Sequence, residues 1–159
     1  MDDLERRLTR LEDVRAVEQL KFRYTAACDF GYDLDALASC FAPDGRWVSD
    51  GFADCHGRDE IRDYFRRLAK VTPQALHYAT SPRVLLDAGG GRAEARFHLL
   101  CLSTVRRRGS DEHDALVMIG SYHDRCIKID GQWLFEELRA DVRHISEWTQ
   151  GWVREPWRR

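Results

Sequence analysis

Apolar residues recur at spacings of three and four along the first thirty positions: Leu4, Leu8, Leu11, Val14, Val17, Leu20 and Tyr24. A single stripe with that period predicts a helix, with Glu, Arg and Lys filling its other faces. A break near Glu12 and Asp13 stays open, since Asp13 can cap a second helix, and Gly31 supplies a helix stop. Asp33 is placed to cap a short helix whose inward face is Leu34 and Leu37, with Phe41 at its end. Pro43, Asp44 and Gly45 read as a turn. Residues 46–49 and 51–55 read as a short hairpin. A third helix follows the run from His56 to Glu60, with Ile61, Tyr64, Phe65 and Leu68 on one side, and Thr72-Pro73 ends it.

The remainder of the pattern has period two. Residues 75–87, 92–107, 115–129 and 132–145 read as four long antiparallel strands. The second alternates clearly, with Ala93, Ala95, Phe97, Leu99 and Cys101 on one side. Gly89, Gly90 and Gly91 make a permissive turn, and Asp130-Gly131 is the strongest hairpin signal in the chain. Helices precede strands and do not alternate with them, so the fold class is α+β and not a parallel α/β sheet. A long curved sheet wrapped on its helices encloses a cone. One domain over residues 1–159 is expected, with a core at about 4–145 and an aromatic, basic tail at 146–159. Trp148, Trp152 and Trp157 in that tail should pack on the body or on a partner subunit.

Composition narrows the function classes. The 159 residues carry 25 Lys and Arg against 27 Asp and Glu, a net charge of -2. That balance gives no basic face for nucleic acid. The charged N-terminus has no apolar core of a signal peptide, and no run of 18 apolar residues suggests a membrane span. The five cysteines form no C-x-x-C pair and no zinc-finger spacing, so free thiols in a reducing cytoplasm are the expectation. No His pair has the helical spacing of a zinc site, and no metal is expected. Five Trp, five Tyr and seven Phe are a generous aromatic complement for a near-neutral domain.

Certain stretches carry a family resemblance. They are Leu20-Lys21-Phe22-Arg23-Tyr24 followed by Cys28-Asp29, then residues 37–44, His77 five residues before Pro82, and Tyr122-His123-Asp124-Arg125 ahead of Ile129-Asp130-Gly131-Gln132-Trp133. On these the chain resembles the SnoaL-like branch of the NTF2-like superfamily, the α+β cone. It looks closest to dehydratase-type members such as the bile-acid 7α-dehydratases and scytalone dehydratase. The resemblance implies an α+β cone and a site in which a Tyr and an Asp on the first helix work with a His on the first long strand. Tyr24, Asp29 and His77 match those places. In that scheme the His abstracts a proton beside an activated carbonyl, the Asp orients and polarises it, and the Tyr steadies the substrate oxygen. No cofactor is implied.

The residue chemistry agrees. Imidazole titrates near neutrality, and a carboxylate on one ring nitrogen fixes the tautomer. Asp29 at a helix C-terminus is unfavourable with the helix dipole, which points to another purpose for it. The match departs from the family at two places: Ser49 stands about where relatives carry a second substrate-binding Tyr, with Trp47 on the same side, and Cys101 stands where relatives carry another polar residue. His98, an odd number of residues from Cys101, should face the other side. Phe97 should line the cone, and Arg139 or Arg143 is a candidate to meet a carbonyl or anionic group.

The expected function is a cofactor-independent dehydratase or isomerase acting on a hydrophobic cyclic oxygenated compound: a steroid, a polyketide or an aromatic. The alternatives are a non-catalytic binder of small hydrophobic ligands and a scaffold resembling the β subunit of ring-hydroxylating dioxygenases. A homodimer or homotrimer is expected, with no nucleic-acid or membrane partner.

Overall fold

The computed structural model describes residues 2–29 and 31–157; the last two residues of the expected tail lie outside them. Element order is α1 (Asp3–Cys28), α2 (Leu34–Ser39), β1 (Phe41–Ser49), β2 (Ala53–His56), α3 (Gly57–Ala69), β3 (Gln74–Leu86), β4 (Arg92–Arg106), β5 (His113–Ile129), β6 (Gln132–Glu147) and α4 (Gly151–Arg154). The strands form one six-stranded sheet in the order β2-β1-β6-β5-β4-β3. Among the strand pairs of the described residues, β1–β6 alone is parallel. The sheet stays open, with β2 and β3 at its edges, and α1 and α3 cover its inner face. This is the α+β class expected from the element order. Among the described residues no helix is long and apolar enough to cross a membrane.

Sequence expectations are met in the strands and revised in the helices. β4 alternates buried and exposed residues from Arg92 to Cys101, with His98 on the outer face as its parity predicts. Asp130 and Gly131 turn β5 into β6, both at positive φ (49° and 79°), which is the type I′ requirement. α1 runs without a break at Asp13. That carboxylate caps nothing; its Oδ1 accepts from Lys128 Nζ at 2.7 Å and Trp133 Nε1 at 2.8 Å, tying the helix to the β5–β6 hairpin.

The N-terminal part of the apolar stripe is not core. Leu4, Leu8 and Leu11 are 70%, 54% and 68% exposed, because the first turns of this 26-residue helix bury no side chain before Asp13. A capping box between Asp2 and Glu5 holds that end. Phe41 begins β1 and does not end α2. Pro43, Asp44 and Gly45 form a bulge within β1, not a free turn: Phe41 pairs with Phe135 and Arg46 with Glu137, so the extra residues are looped out. A Cβ at Gly45 would sit 2.8 Å from the Phe135 carbonyl oxygen, which requires glycine there.

Lys21, read as a polar-face residue, is wholly buried. Its Nζ lies 2.8 Å from Asp124 Oδ2 on β5, itself fully buried, and 3.6 Å from the centre of the Tyr122 ring. Beyond this pairing neither Lys21 Nζ nor either Asp124 oxygen has a hydrogen-bond partner among the described residues. Burial pulls the Lys21 ammonium below its ordinary range against the pull of Asp124. Burial likewise pushes Asp124 up to about 6 despite Lys21.

The tail packs back in part. Trp157 bridges to Ile145 and lies 6.0 Å from the Phe52 ring, while Trp148 and Trp152 stay exposed.

Breaking the buried pair should be far more damaging than replacing it. Asp124→Asn strands the Lys21 charge and should cost about 3–5 kcal/mol in chemical denaturation, whereas Lys21→Met with Asp124→Leu should fall close to the wild type or above it.

Candidate active site

Asp29 is the C-cap of α1, in extended conformation (φ -76°, ψ 150°), with its own N–H on the Thr25 carbonyl. The turn out of the helix aims its side chain at the start of β3. There Asp29 Oδ1 accepts from the His77 backbone N–H at 3.0 Å and lies 2.8 Å from His77 Nδ1. Two bonds to one strand residue fix both the carboxylate and the ring. The expectation that Asp29 serves something other than its helix is consistent with this geometry. With Nδ1–H directed at Asp29, Nε2 is the ring nitrogen left for a ligand.

His77 borders a cavity of about 210 Å³ between the sheet and the helices. Its wall is mostly apolar: Leu99, Met118 and Val142 from the sheet, Phe65 and Leu68 from α3. Burial disfavours the charged ring, but the hydrogen bond to Asp29 and the Cys101 thiol outweigh it. The net effect raises His77 from 6.5 to about 9.

Tyr24 also borders the cavity. Its hydroxyl accepts from Trp47 Nε1 at 2.8 Å and meets the Cys28 thiol. Burial pushes this phenol well above its ordinary range, so it stays a neutral hydroxyl. Trp47 lines the cavity, and its ring stacks on Tyr64 at 4.9 Å. Ser49 is on the wall too, but its hydroxyl donates to the Ala140 carbonyl at 2.7 Å. Cys101 sits directly opposite His77 across β3 and β4 and faces the same space.

Three other candidates do not reach the cavity. Phe97 is on the inward side of β4 but lies under α1, edge-on to Phe22 at 6.4 Å, as core. The alternation of β6 sends Ala140 and Val142 inward and Arg139 outward, where it pairs with Asp50 at 3.4 Å. Arg143 is exposed on the outer groove of the sheet beside Arg83, Arg96 and His98, past the irregularity at Val142–His144.

Sequence reasoning missed Tyr32 and Tyr64. Tyr32 is buried at φ 61°, unusual for a non-glycine residue, with its ring 5.5 Å from Phe65. Backbone in that region carries a strain of about 1–3 kcal/mol and tends to be kept at functional sites. No periodic signal marks a residue in a short connection. Tyr64 was read as part of a helical face, and its position on that face is what presents it to the cavity.

Comparison with known proteins settles the family. The family model described as a SnoaL-like domain matches residues 9–139. The chain belongs to the SnoaL-like family. Solved structures share the fold. A candidate scytalone dehydratase from Novosphingobium aromaticivorans superposes with a TM-score of 0.77 at 21% identity, over 88% of this chain and 90% of that one. The hexachlorocyclohexane dehydrochlorinase LinA-type3 from Novosphingobium barchaimii LL02 gives 0.77 at 19% identity, over 88% and 92%. An NTF2-like protein with a cystatin-like fold from N. aromaticivorans gives 0.68 at 25% identity, over 89% and 91%. The SnoaL-like chain described here thus has an NTF2-like, cystatin-like fold.

The raised His77 value has a readable consequence. Its protonated form adds to stability fully below about pH 6.5, and that contribution is lost as pH rises through about 9. An NMR titration of the His77 ring should show a midpoint near 9 in the wild type and a clearly lower one in Asp29→Asn, where burial is opposed by the Cys101 thiol without the carboxylate.

Proposed function

We propose that this protein is a cofactor-independent lyase or isomerase acting on a compact, hydrophobic, oxygenated ring compound. The observation that carries the reading is the Asp29–His77 hydrogen bond at the wall of an apolar cavity. The matched folds support it, since dehydratase and dehydrochlorinase both name eliminations in which a proton and a leaving group depart from neighbouring carbons.

His77 Nε2 takes the proton from carbon beside a carbonyl. Asp29 holds the Nδ1 proton and stabilises the imidazolium that forms. The C–H electron pair becomes the new double bond as the leaving group departs, or shifts the existing one in an isomerisation. Tyr24, braced by Trp47, steadies the substrate oxygen. The cavity limits size. An apolar cavity of about 150 Å³ takes benzene, so about 210 Å³ suits a substituted ring.

A base must be neutral to act. With His77 raised to about 9, roughly one ring in a hundred is neutral at pH 7. The test needs no knowledge of the natural substrate: exchange of the α-protons of 2-tetralone in deuterated water, followed by NMR. The wild type should accelerate exchange, and the rate should rise with pH and level off near 9. His77→Ala and Asp29→Asn should each lower it about 100-fold or more. A non-catalytic binder is favoured by one observation, the commitment of the Ser49 hydroxyl to backbone. Binding of 2-tetralone without accelerated exchange would decide for it.

The reading includes self-association as a homodimer or homotrimer through the outer sheet face. Tyr78 and Leu100 pair across β3 and β4 there, 47% and 40% exposed. Light scattering should give two or three times the chain mass, and Tyr78→Glu with Leu100→Glu should give the monomer; a monomeric wild type would overturn this part.

A further inference from the structure

We propose that Cys101 is a nucleophilic thiol of the cavity, activated by His77, and that it adds covalently to compact apolar α,β-unsaturated carbonyl compounds. The inference rests on reading His77 as a proton acceptor. Three observations carry it.

The first is position. All five cysteines are buried, yet among the described residues only Cys101 lines the cavity. The second is register. His77 and Cys101 are direct partners across the antiparallel β3–β4 pair, so their side chains project from the same face. The third is order. Asp29 occupies His77 Nδ1, which leaves Nε2 as the ring nitrogen open to a proton from the cross-strand thiol. Carboxylate, imidazole and thiol then form a relay of the kind that activates a sulfur nucleophile. The interaction of the thiol with the ring is strong enough to be among the influences that raise His77.

The step balances without an oxidant or reductant. The Cys101 S–H proton moves to His77 Nε2, giving a thiolate beside an imidazolium. The sulfur electron pair forms a bond to the β-carbon of the enone, the C=C π pair moves toward the carbonyl oxygen, and the Nε2 proton is returned to the α-carbon. Asp29 balances the charge on the ring meanwhile. The acceptor class is also the one that loss of water from a β-hydroxy carbonyl generates, so the compound that reacts with Cys101 is chemically akin to a product of the elimination proposed above.

The remaining thiols are built-in controls. Burial pushes Cys28, Cys40, Cys55 and Cys126 up, and none of them opens on the cavity. A buried, protonated thiol is a poor nucleophile.

The test treats the folded full-length protein with 2-cyclohexen-1-one and follows intact mass and peptide maps over time. One adduct should form, on Cys101, ahead of the other four thiols. Excess 2-tetralone should slow it. His77→Asn and Asp29→Asn should slow it at least about tenfold, with the fold checked by circular dichroism, and Cys101→Ser should abolish it. Competition by 2-tetralone uses the wild type alone, so the result does not hang on a variant that folds. Labelling of Cys101 no faster than of the other thiols, no protection by 2-tetralone, or an unchanged rate in both His77→Asn and Asp29→Asn would each overturn the proposal. Such a failure alongside His77-dependent exchange of 2-tetralone protons would leave the lyase reading standing. His77-dependent labelling without that exchange would support the thiol and count against the lyase.

Discussion

The position of α1 on the sheet is the constraint from which the site follows. A helix packed only by apolar side chains can slide or roll at modest cost. Lys21 removes that freedom, because its ammonium is fully buried and has one carboxylate to meet, Asp124 on β5. Any shift of the helix by a residue would leave a charge uncompensated in the core, a loss of several kcal/mol. Asp13 adds a second polar tie, two turns earlier, to Lys128 and Trp133. Tyr24, Cys28 and Asp29 lie three, seven and eight residues beyond Lys21, so the ion pair sets where each of them stands. The match of Asp29 to His77 at hydrogen-bond distance is thus fixed by a charge pair that touches neither.

The same low-dielectric interior works in opposite senses on the groups it holds. For Tyr24, Tyr122 and the thiols of Cys28 and Cys126, burial is the largest influence and keeps them neutral. For His77 burial is the largest influence and disfavours charge, yet the Asp29 carboxylate and the Cys101 thiol together reverse the outcome. The result is a strong base that is seldom free at neutral pH. A weaker coupling would free more of the ring but give a poorer proton acceptor, the usual compromise when an acid–base group is tuned by a partner.

Much of the fold could be read from the chain because the strands obey their period. In β4 every second residue from Ala93 to Cys101 is buried, and parity alone placed His98 outside and Cys101 inside. Asp29, His77 and Tyr24 were found through a family likeness; their residue types also make chemical sense. What escaped the sequence has physical causes. Periodicity cannot tell where a helix outruns the sheet, so Leu4, Leu8 and Leu11 read as core although they face water. A lone Lys on a helix reads as solvated, and only the opposite strand shows that Lys21 has a buried partner. The bulge at residues 43–45 resembles a turn because both need glycine. Arg139 and Arg143 share a face by spacing, but which face is inner depends on the neighbouring strands. Tyr32 depends on a left-handed backbone that no pattern announces.

The distribution of polar groups around the cavity decides what kind of selectivity this scaffold can have. The Ser49 hydroxyl bonds backbone, the indole N–H of Trp47 bonds Tyr24, and the arginines of β6 lie outside. A bound molecule therefore meets mainly aromatic and aliphatic surface, with its few polar contacts concentrated near His77, Cys101 and Tyr24. Binding energy then comes chiefly from apolar area, at about 0.8 kcal/mol per buried methylene. A pocket of this sort distinguishes neighbours differing by one methylene only about 10–200-fold. In the proposed reaction, shape selects which rings enter and chemistry selects among them afterwards, because a reacting ring must present an acidified C–H to Nε2 with an oxygen toward Tyr24. Discrimination in the proposed reaction rests on the geometry of one proton more than on the tightness of binding.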